Sequence, residues 1–274
     1  MNYNKQNHPF DTATQLTGES GIYYGCTSEC YANMVGPFGG IIAATLLRAV
    51  MEHPERKGDP VSLTINYTAP VLDGNFSIKA IPTRTNRSTQ HWYIELCQDK
   101  GIIITGTAVF ASRRKTWSST ERNFPNVPSA KEVKNFSSEG LPPWVYNYDM
   151  RIIQGTPLAL SQPNPKNTSD SVTLQWIQDE PRRPIDFLSL TAMCDAFFPR
   201  IYVRRKQMVP VGTVSLTVYF HINSEVLTKH GDKEVLGHAR ALQFYNGFFD
   251  QTAELWSPEG KLLTTTSQLV YYKE

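Results

Sequence analysis

Val61-Ser62-Leu63-Thr64-Ile65-Asn66-Tyr67 returns 153 residues later as Val214-Ser215-Leu216-Thr217-Val218-Tyr219-Phe220, with the first four letters unchanged. Both runs read as strands, and four identical letters alone arise by chance often enough. Their surroundings repeat as well. Before the first run stands an Ala- and Leu-rich helix candidate at 40–53, opened by Gly36-Pro37-Phe38-Gly39-Gly40. Before the second stands another at 185–198, which starts after Pro181-Arg182-Arg183-Pro184 and ends against Pro199. Three further strand-like runs follow each copy: 75–84, 91–98 and 102–111 in the first half, then 234–245, 249–256 and 262–273 in the second. Turns such as Asp73-Gly74, Asn246-Gly247 and Ser257-Pro258-Glu259-Gly260 separate them. Each half also carries extended segments ahead of its helix, 12–17 and 21–31 in the first and 146–154 and 171–178 in the second.

Successive strands at this spacing predict an antiparallel sheet, and helices this apolar need cover nearly all round. The fold expected is α+β: two repeats, each a long helix wrapped by an antiparallel sheet, with the sheets joined edge to edge. The domain boundaries read as 1–114, a Ser-, Asn- and Pro-rich connector at 115–144, and 145–274.

Composition narrows the function. Of 274 residues, 27 are Lys or Arg and 25 Asp or Glu, and a net charge of +2 is not that of a dedicated nucleic-acid binder. Hydrophobic residues at 40%, with 13 Tyr, 13 Phe and 5 Trp, exclude a disordered chain. No apolar run reaches the ~20 residues of a membrane span, and the opening Met-Asn-Tyr-Asn-Lys lacks the order of a secretory signal, so a cytoplasmic protein is expected. Cys26, Cys30, Cys97 and Cys194 make no disulfide framework, and no second pair stands at zinc-ligand spacing; neither metal nor cofactor is expected.

Asp195 stands out within the second helix candidate. Its helical neighbours Leu188, Thr191, Ala192, Phe198 and Tyr202 are mostly apolar, which puts a carboxylate on a face that should be buried. An unpaired buried carboxylate is costly and its pKa rises. A backbone-bonded Asp at a ragged helix edge would read the same way.

Phe10-Asp-Thr-Ala-Thr-Gln-Leu16, Tyr24-Gly25, and Gly36–Gly40 running into Ala43-Ala44-Thr-Leu-Leu-Arg-Ala49 resemble, in this order, the N-terminal repeat of the double-hotdog acyl-CoA thioesterases, the thioesterase II group; the second half resembles their C-terminal repeat. The resemblance spans roughly 9–112 and 145–273. It implies an acyl-CoA substrate, a homodimer or larger assembly, and a water held by an Asp, a Thr or Ser and a Gln. Matched motif to motif, those roles fall on Asp195, Thr213 and Gln268. Gly39 and Gly40 would let the thioester approach backbone donors closely, although a tight turn into the helix explains them equally well. Arg204-Arg205 and Arg113-Arg114 are candidates for the CoA phosphates, or ordinary solvated charge. The repeat sets Ile42 opposite Asp195, Pro60 opposite Thr213 and Thr107 opposite Gln268, so one active site per chain is expected.

No G-x-S-x-G elbow occurs, Cys194 has no local His, and Gly36–Gly40 matches neither G-x-G-x-x-G nor a P-loop. Two rival readings stand: a non-catalytic acyl-CoA- or lipid-binding double hotdog, and a biosynthetic thioesterase acting on a carrier-protein-bound acyl chain. The strand from Thr213 reads Thr-Val-Ser-Leu-Thr-Val-Tyr-Phe-His, where the family often has Asp-His in the middle, and the C-terminus is not a Ser-Lys-Leu peroxisomal address.

Overall fold

Thr64 and Thr217 face each other across two adjacent antiparallel strands, their hydroxyl oxygens 3.1 Å apart. Because these residues are equivalents in the repeat, the strand pair lies on an approximate two-fold axis relating the halves. In the computed structural model, which describes residues 8–99, 101–161, 168–205 and 207–274, each half adds its remaining strands outward from this pair.

The first half runs α1 (Pro9–Ala13), β1 (Thr17–Glu19), β2 (Ile22–Cys26), α2 (Gly39–Met51), β3 (Asp59–Tyr67), β4 (Asn75–Thr85), β5 (Thr89–Gln98) and β6 (Gly101–Ala111). The second runs β7 (Tyr148–Gln154), α3 (Leu158–Ser161), β8 (Thr173–Asp179), α4 (Phe187–Met193), α5 (Arg200–Arg204), β9 (Val211–Phe220), α6 (Ser224–His230), β10 (Val235–Arg240), β11 (Phe244–Tyr245), β12 (Phe248–Trp256) and β13 (Leu262–Tyr272). Among the described residues these strands form one sheet in the order β1-β2-β4-β5-β6-β3-β9-β13-β12-β10-β8-β7, with β11 paired to β12. This is the expected α+β double hotdog. Helices α2 and α4 pack against each other within it. Ten of the thirteen α2 residues, including Ile41, Ala44, Leu46, Leu47 and Val50, are buried. Among the described residues no helix is long and apolar enough to cross a membrane.

Several local expectations are corrected. The segment 12–17 is not extended from its start: the chain turns into α1, with Pro9 at the first helical position and His8 Nδ1 accepting the Phe10 amide at 3.0 Å. The strand expected at 21–31 stops at Cys26 and is followed by a 3-10 turn, Glu29–Tyr31. A helix, α6, lies between β9 and β10, capped by Asn223 Oδ1 on the Val226 amide at 3.1 Å, and the run 234–245 breaks into β10 and β11.

The correction that matters most concerns the second helix. It starts on a capping box, with Asp186 accepting the Ser189 amide at 2.8 Å and Ser189 accepting the Asp186 amide at 3.0 Å. It ends at Met193, not Phe198, so Asp195 lies beyond the helix and its supposed helical neighbours do not share a face with it. Two glutamines bond carbonyls just beyond the break. Gln268 donates to the Cys194 carbonyl at 3.4 Å and Gln175 to the Ala196 carbonyl at 2.7 Å, engaging acceptors that a continuing helix would use, while Pro199 disfavours helical backbone at Phe198.

The connector is not a free tether. Trp176 donates its indole N–H to the Pro128 carbonyl at 2.9 Å, and Phe124 packs edge-on against Trp256 at 5.9 Å.

Candidate active site

After Met193 the chain makes tight turns, with the Asp195 amide bonded to the Ala192 carbonyl at 3.0 Å and the Ala196 amide to the Met193 carbonyl at 3.1 Å. This aims Asp195 at the N-terminal end of α2, in the other half. Gln268 Nε2 donates to Asp195 Oδ1 at 2.9 Å, and the backbone N–H of Gly40 also bonds the carboxylate. Asp195 is half-buried: protein surrounds the carboxyl group, yet the residue keeps some contact with solvent. Burial pushes its pKa up to about 7, against the opposing pull of the Gln268 amide and the Gly40 N–H. A carboxyl with that pKa exchanges protons readily near neutral pH.

The glycines are required here by close approach. A Cβ on Gly39 would stand 2.8 Å from Asp195 Oδ2, and one on Gly40 would stand 2.6 Å from the Ala192 carbonyl oxygen and 2.5 Å from the Phe38 ring. Gly39 therefore lets α2 reach the carboxylate, and Gly40 lets α2 reach α4. The carboxylate consequently lies at the positive end of a thirteen-residue helix.

Thr213 enters this face through a bulge. Along β9 the inward residues are Phe220, Val218 and Leu216, and strict alternation would turn Thr213 outward. The ladder with β13 slips at Val214: Ser215 pairs Leu269, and Thr213 pairs Val270. Thr213 thus shares a face with Val270 and with Gln268, two residues away along β13. Among the described residues no hydrogen bond joins Thr213 to Asp195 or Gln268. Arg204 bonds the Thr168 carbonyl, Arg205 ion-pairs with Glu274, and Arg113 bonds the Phe220 carbonyl, so each is already engaged.

Sequence reasoning missed Tyr67. It ends the inward row Leu63, Ile65, Tyr67 of β3 and donates to the Gly39 carbonyl at 2.9 Å. Burial raises its pKa well above the usual tyrosine value, and the Asp195 charge adds to the rise. The signal was present in the alternation of β3, but a strand tyrosine reads as a packing residue until the helix end it pins is known.

Comparison with known proteins identifies the family and the fold. Residues 29–111 match the N-terminal domain of acyl-CoA thioesterases and residues 122–272 their C-terminal domain. A hot dog protein of unknown function from Alicyclobacillus acidocaldarius is 46% identical, covering 98% of this chain and 99% of its own, with a TM-score of 0.93. A putative thioesterase II from Thermobifida fusca superposes with a TM-score of 0.81 at 17% identity, covering 97% of each chain. The acyl-CoA thioesterase II TesB2 of Mycobacterium marinum gives 0.76 at 16% identity, over 96% of this chain and 98% of its own. No curated protein matches. With both domain families matched in order along most of its length, the chain belongs to the double-hotdog acyl-CoA thioesterase family.

Proposed function

We propose that the protein hydrolyses acyl-CoA thioesters to the free acid and CoA, with Asp195 as general base. The observation that carries this reading is the Asp195 carboxylate itself, bonded by Gln268 and by Gly40 from opposite halves of the chain, half-buried and with a pKa raised to about 7. A protein that only binds acyl-CoA gains nothing from a desolvated carboxylate whose pKa is raised towards neutrality, whereas a hydrolase needs one.

In the mechanism, ionised Asp195 accepts a proton from a water as that water attacks the thioester carbonyl carbon. Gln268 spends its N–H groups on Asp195 and Cys194, which leaves its carbonyl oxygen free to orient the water. Thr213, brought to the same face by the bulge, is the third water-positioning residue. Because Gly40 already bonds the carboxylate, the Gly39 amide, unpaired at the first position of α2, is the donor left for the developing oxyanion. The first half, with Ile42 where the second has Asp195, supplies binding wall and backbone donors. The proposed division is 1–114, 115–144 and 145–274. Arg204 and Arg205 serve as CoA phosphate contacts only if they exchange their present partners.

The test is thiol release from acyl-CoAs of graded chain length, with wild type, Asp195→Asn and Gln268→Ala. Asp195→Asn is expected to lower kcat by about 1,000-fold, within the usual range for a lost general base and its positioned water. A wild type that binds acyl-CoA without releasing thiol would establish the binding-protein reading instead, and activity only on carrier-protein thioesters the biosynthetic one.

A further inference from the structure

A second buried carboxylate lies where the two halves meet. Asp179, at the end of β8, has no exposed side-chain surface, and among the described residues neither of its oxygens has a hydrogen-bond partner. Tyr148 stands directly across the β7–β8 ladder, and its buried hydroxyl is also unpartnered. So is that of Tyr31, whose ring meets Tyr148 edge-on at 6.4 Å. Arg183 completes the cluster: its Nη1 is 3.8 Å from Asp179 Oδ2, and Nη1 and Nε have no hydrogen-bond acceptor. Its Nη2 donates outward, to Asp11 at 2.9 Å and Asp186 at 2.8 Å, whose side chains are 48% and 43% exposed.

Each buried polar atom left unbonded costs about 1–3 kcal/mol, so a cluster of this kind calls for an explanation and is a natural site for internal water. Its position points to a use. Tyr148 packs edge-on at 6.3 Å against Phe38, the residue before Gly39, and its hydroxyl lies within the field of both Asp179 and Asp195. Buried polar groups, Tyr148, Asp179 and Arg183, are therefore spaced between Asp195 and the half-exposed Asp11 and Asp186.

Thioester hydrolysis near neutral pH has a proton to dispose of. A C–O bond forms and the C–S bond breaks; the products are a carboxylate, a thiol and one proton. Of the two protons of the attacking water, one ends on the leaving sulfur and the other is left on the general base.

We propose that Tyr148 and Asp179 carry that second proton from Asp195 to the surface. The inference rests on the thioesterase reading. The Tyr148 hydroxyl takes the proton on its oxygen and passes its own to Asp179, with hydrogen-bonded water spanning the gaps. Asp179 releases it towards Asp11 or Asp186; Asp195 and Asp179 are then carboxylates again and Tyr148 is again a neutral phenol. Burial raises Asp179 to about 7, matching Asp195, so the transfer runs between groups of similar proton affinity. The groups facing the relay are Tyr31 with its neighbour Cys30, Asp11, Arg183 and Asp186.

The test uses the full chain with Asp179→Asn and Tyr148→Phe, assayed on the acyl-CoA that wild type hydrolyses fastest, in weak buffer and with added imidazole. Slowed proton exit predicts a kcat lowered about tenfold in weak buffer, a KM within about twofold of wild type, and recovery as imidazole takes over the transfer. Wild-type kcat in weak buffer, or a loss that imidazole does not restore, overturns the relay. Tyr148→Phe removes only an unbonded hydroxyl and decides the matter if Asp179→Asn fails to fold. An inert wild type would refute the thioesterase reading, whereas an active wild type with unaltered variants refutes the relay alone.

Discussion

Replacing Asp195 by Asn should stabilise the protein at alkaline pH and not at acid pH. The carboxyl is raised from 3.8 to about 7 in the folded chain, so the native state binds the proton more tightly than the unfolded state. Native stability contributed by this group is therefore intact below the unfolded value and declines as pH rises from about 4 to about 7. At about 1.4 kcal/mol per pKa unit the full shift amounts to ~4 kcal/mol above pH 7, and solvent access to a half-buried group reduces this to ~2 kcal/mol. Against it, the Asn amide sets a donor against the Gly40 N–H, costing ~1 kcal/mol at every pH. The variant should thus melt about 2–4 °C above wild type at pH 8 and about as far below it at pH 4, since ~1 kcal/mol moves the Tm of a chain of this size by about 2–4 °C. Asp179 is present in both proteins, so its own titration cancels in the difference. Thermal melts of the two proteins at both pH values suffice. A Tm difference that does not change between pH 4 and pH 8 would refute the claim that the fold holds Asp195 at a raised pKa, and with it the basis for its role as a base near neutrality.

Three further outcomes follow from the same geometry. Gly39→Ala puts a methyl group 2.8 Å from Asp195 Oδ2 and should lower kcat by about 100-fold with little change in Tm; near-normal turnover would show that α2 does not need to approach the carboxylate so closely. Tyr67→Phe removes the bond that pins the Gly39 carbonyl at 2.9 Å and should cost ~1 kcal/mol in a denaturant titration and several-fold in kcat, with KM unchanged. Arg200 has no exposed surface, is held at a pKa lowered to about 9 by burial, and donates to the Ser171 carbonyl at 2.9 Å and the Thr173 hydroxyl at 2.7 Å. Arg200→Ala should leave those acceptors unpaired beside a cavity and lower unfolding free energy by about 3–5 kcal/mol, and a loss under ~1 kcal/mol would mean that the buried guanidinium is not held by those bonds.

What the chain discloses before folding depends on how far apart the deciding partners lie. The repeat of Val61–Thr64 in Val214–Thr217 is legible because each copy is a local strand signal, and the pairing of Thr64 with Thr217 realises it as an axis between the halves. Asp195 draws notice because a carboxylate among apolar neighbours is odd at any range, yet the helical face assigned to it is wrong. The helix ends where Gln175 and Gln268 take the carbonyls of Ala196 and Cys194, and neither glutamine is near in sequence. Thr213 is likewise outward by local alternation and inward by a bulge against β13. Tyr67 and Asp179 pass as a strand tyrosine and a strand-end turn residue, because an atom becomes pinned or orphaned only in the assembled core. The errors share one cause: each residue takes its role from a partner across the sheet or in the other half. A carboxylate held between Gly40 and Gln268 has no local signature, so the experiments that probe it are those that alter one half and read the effect in the other.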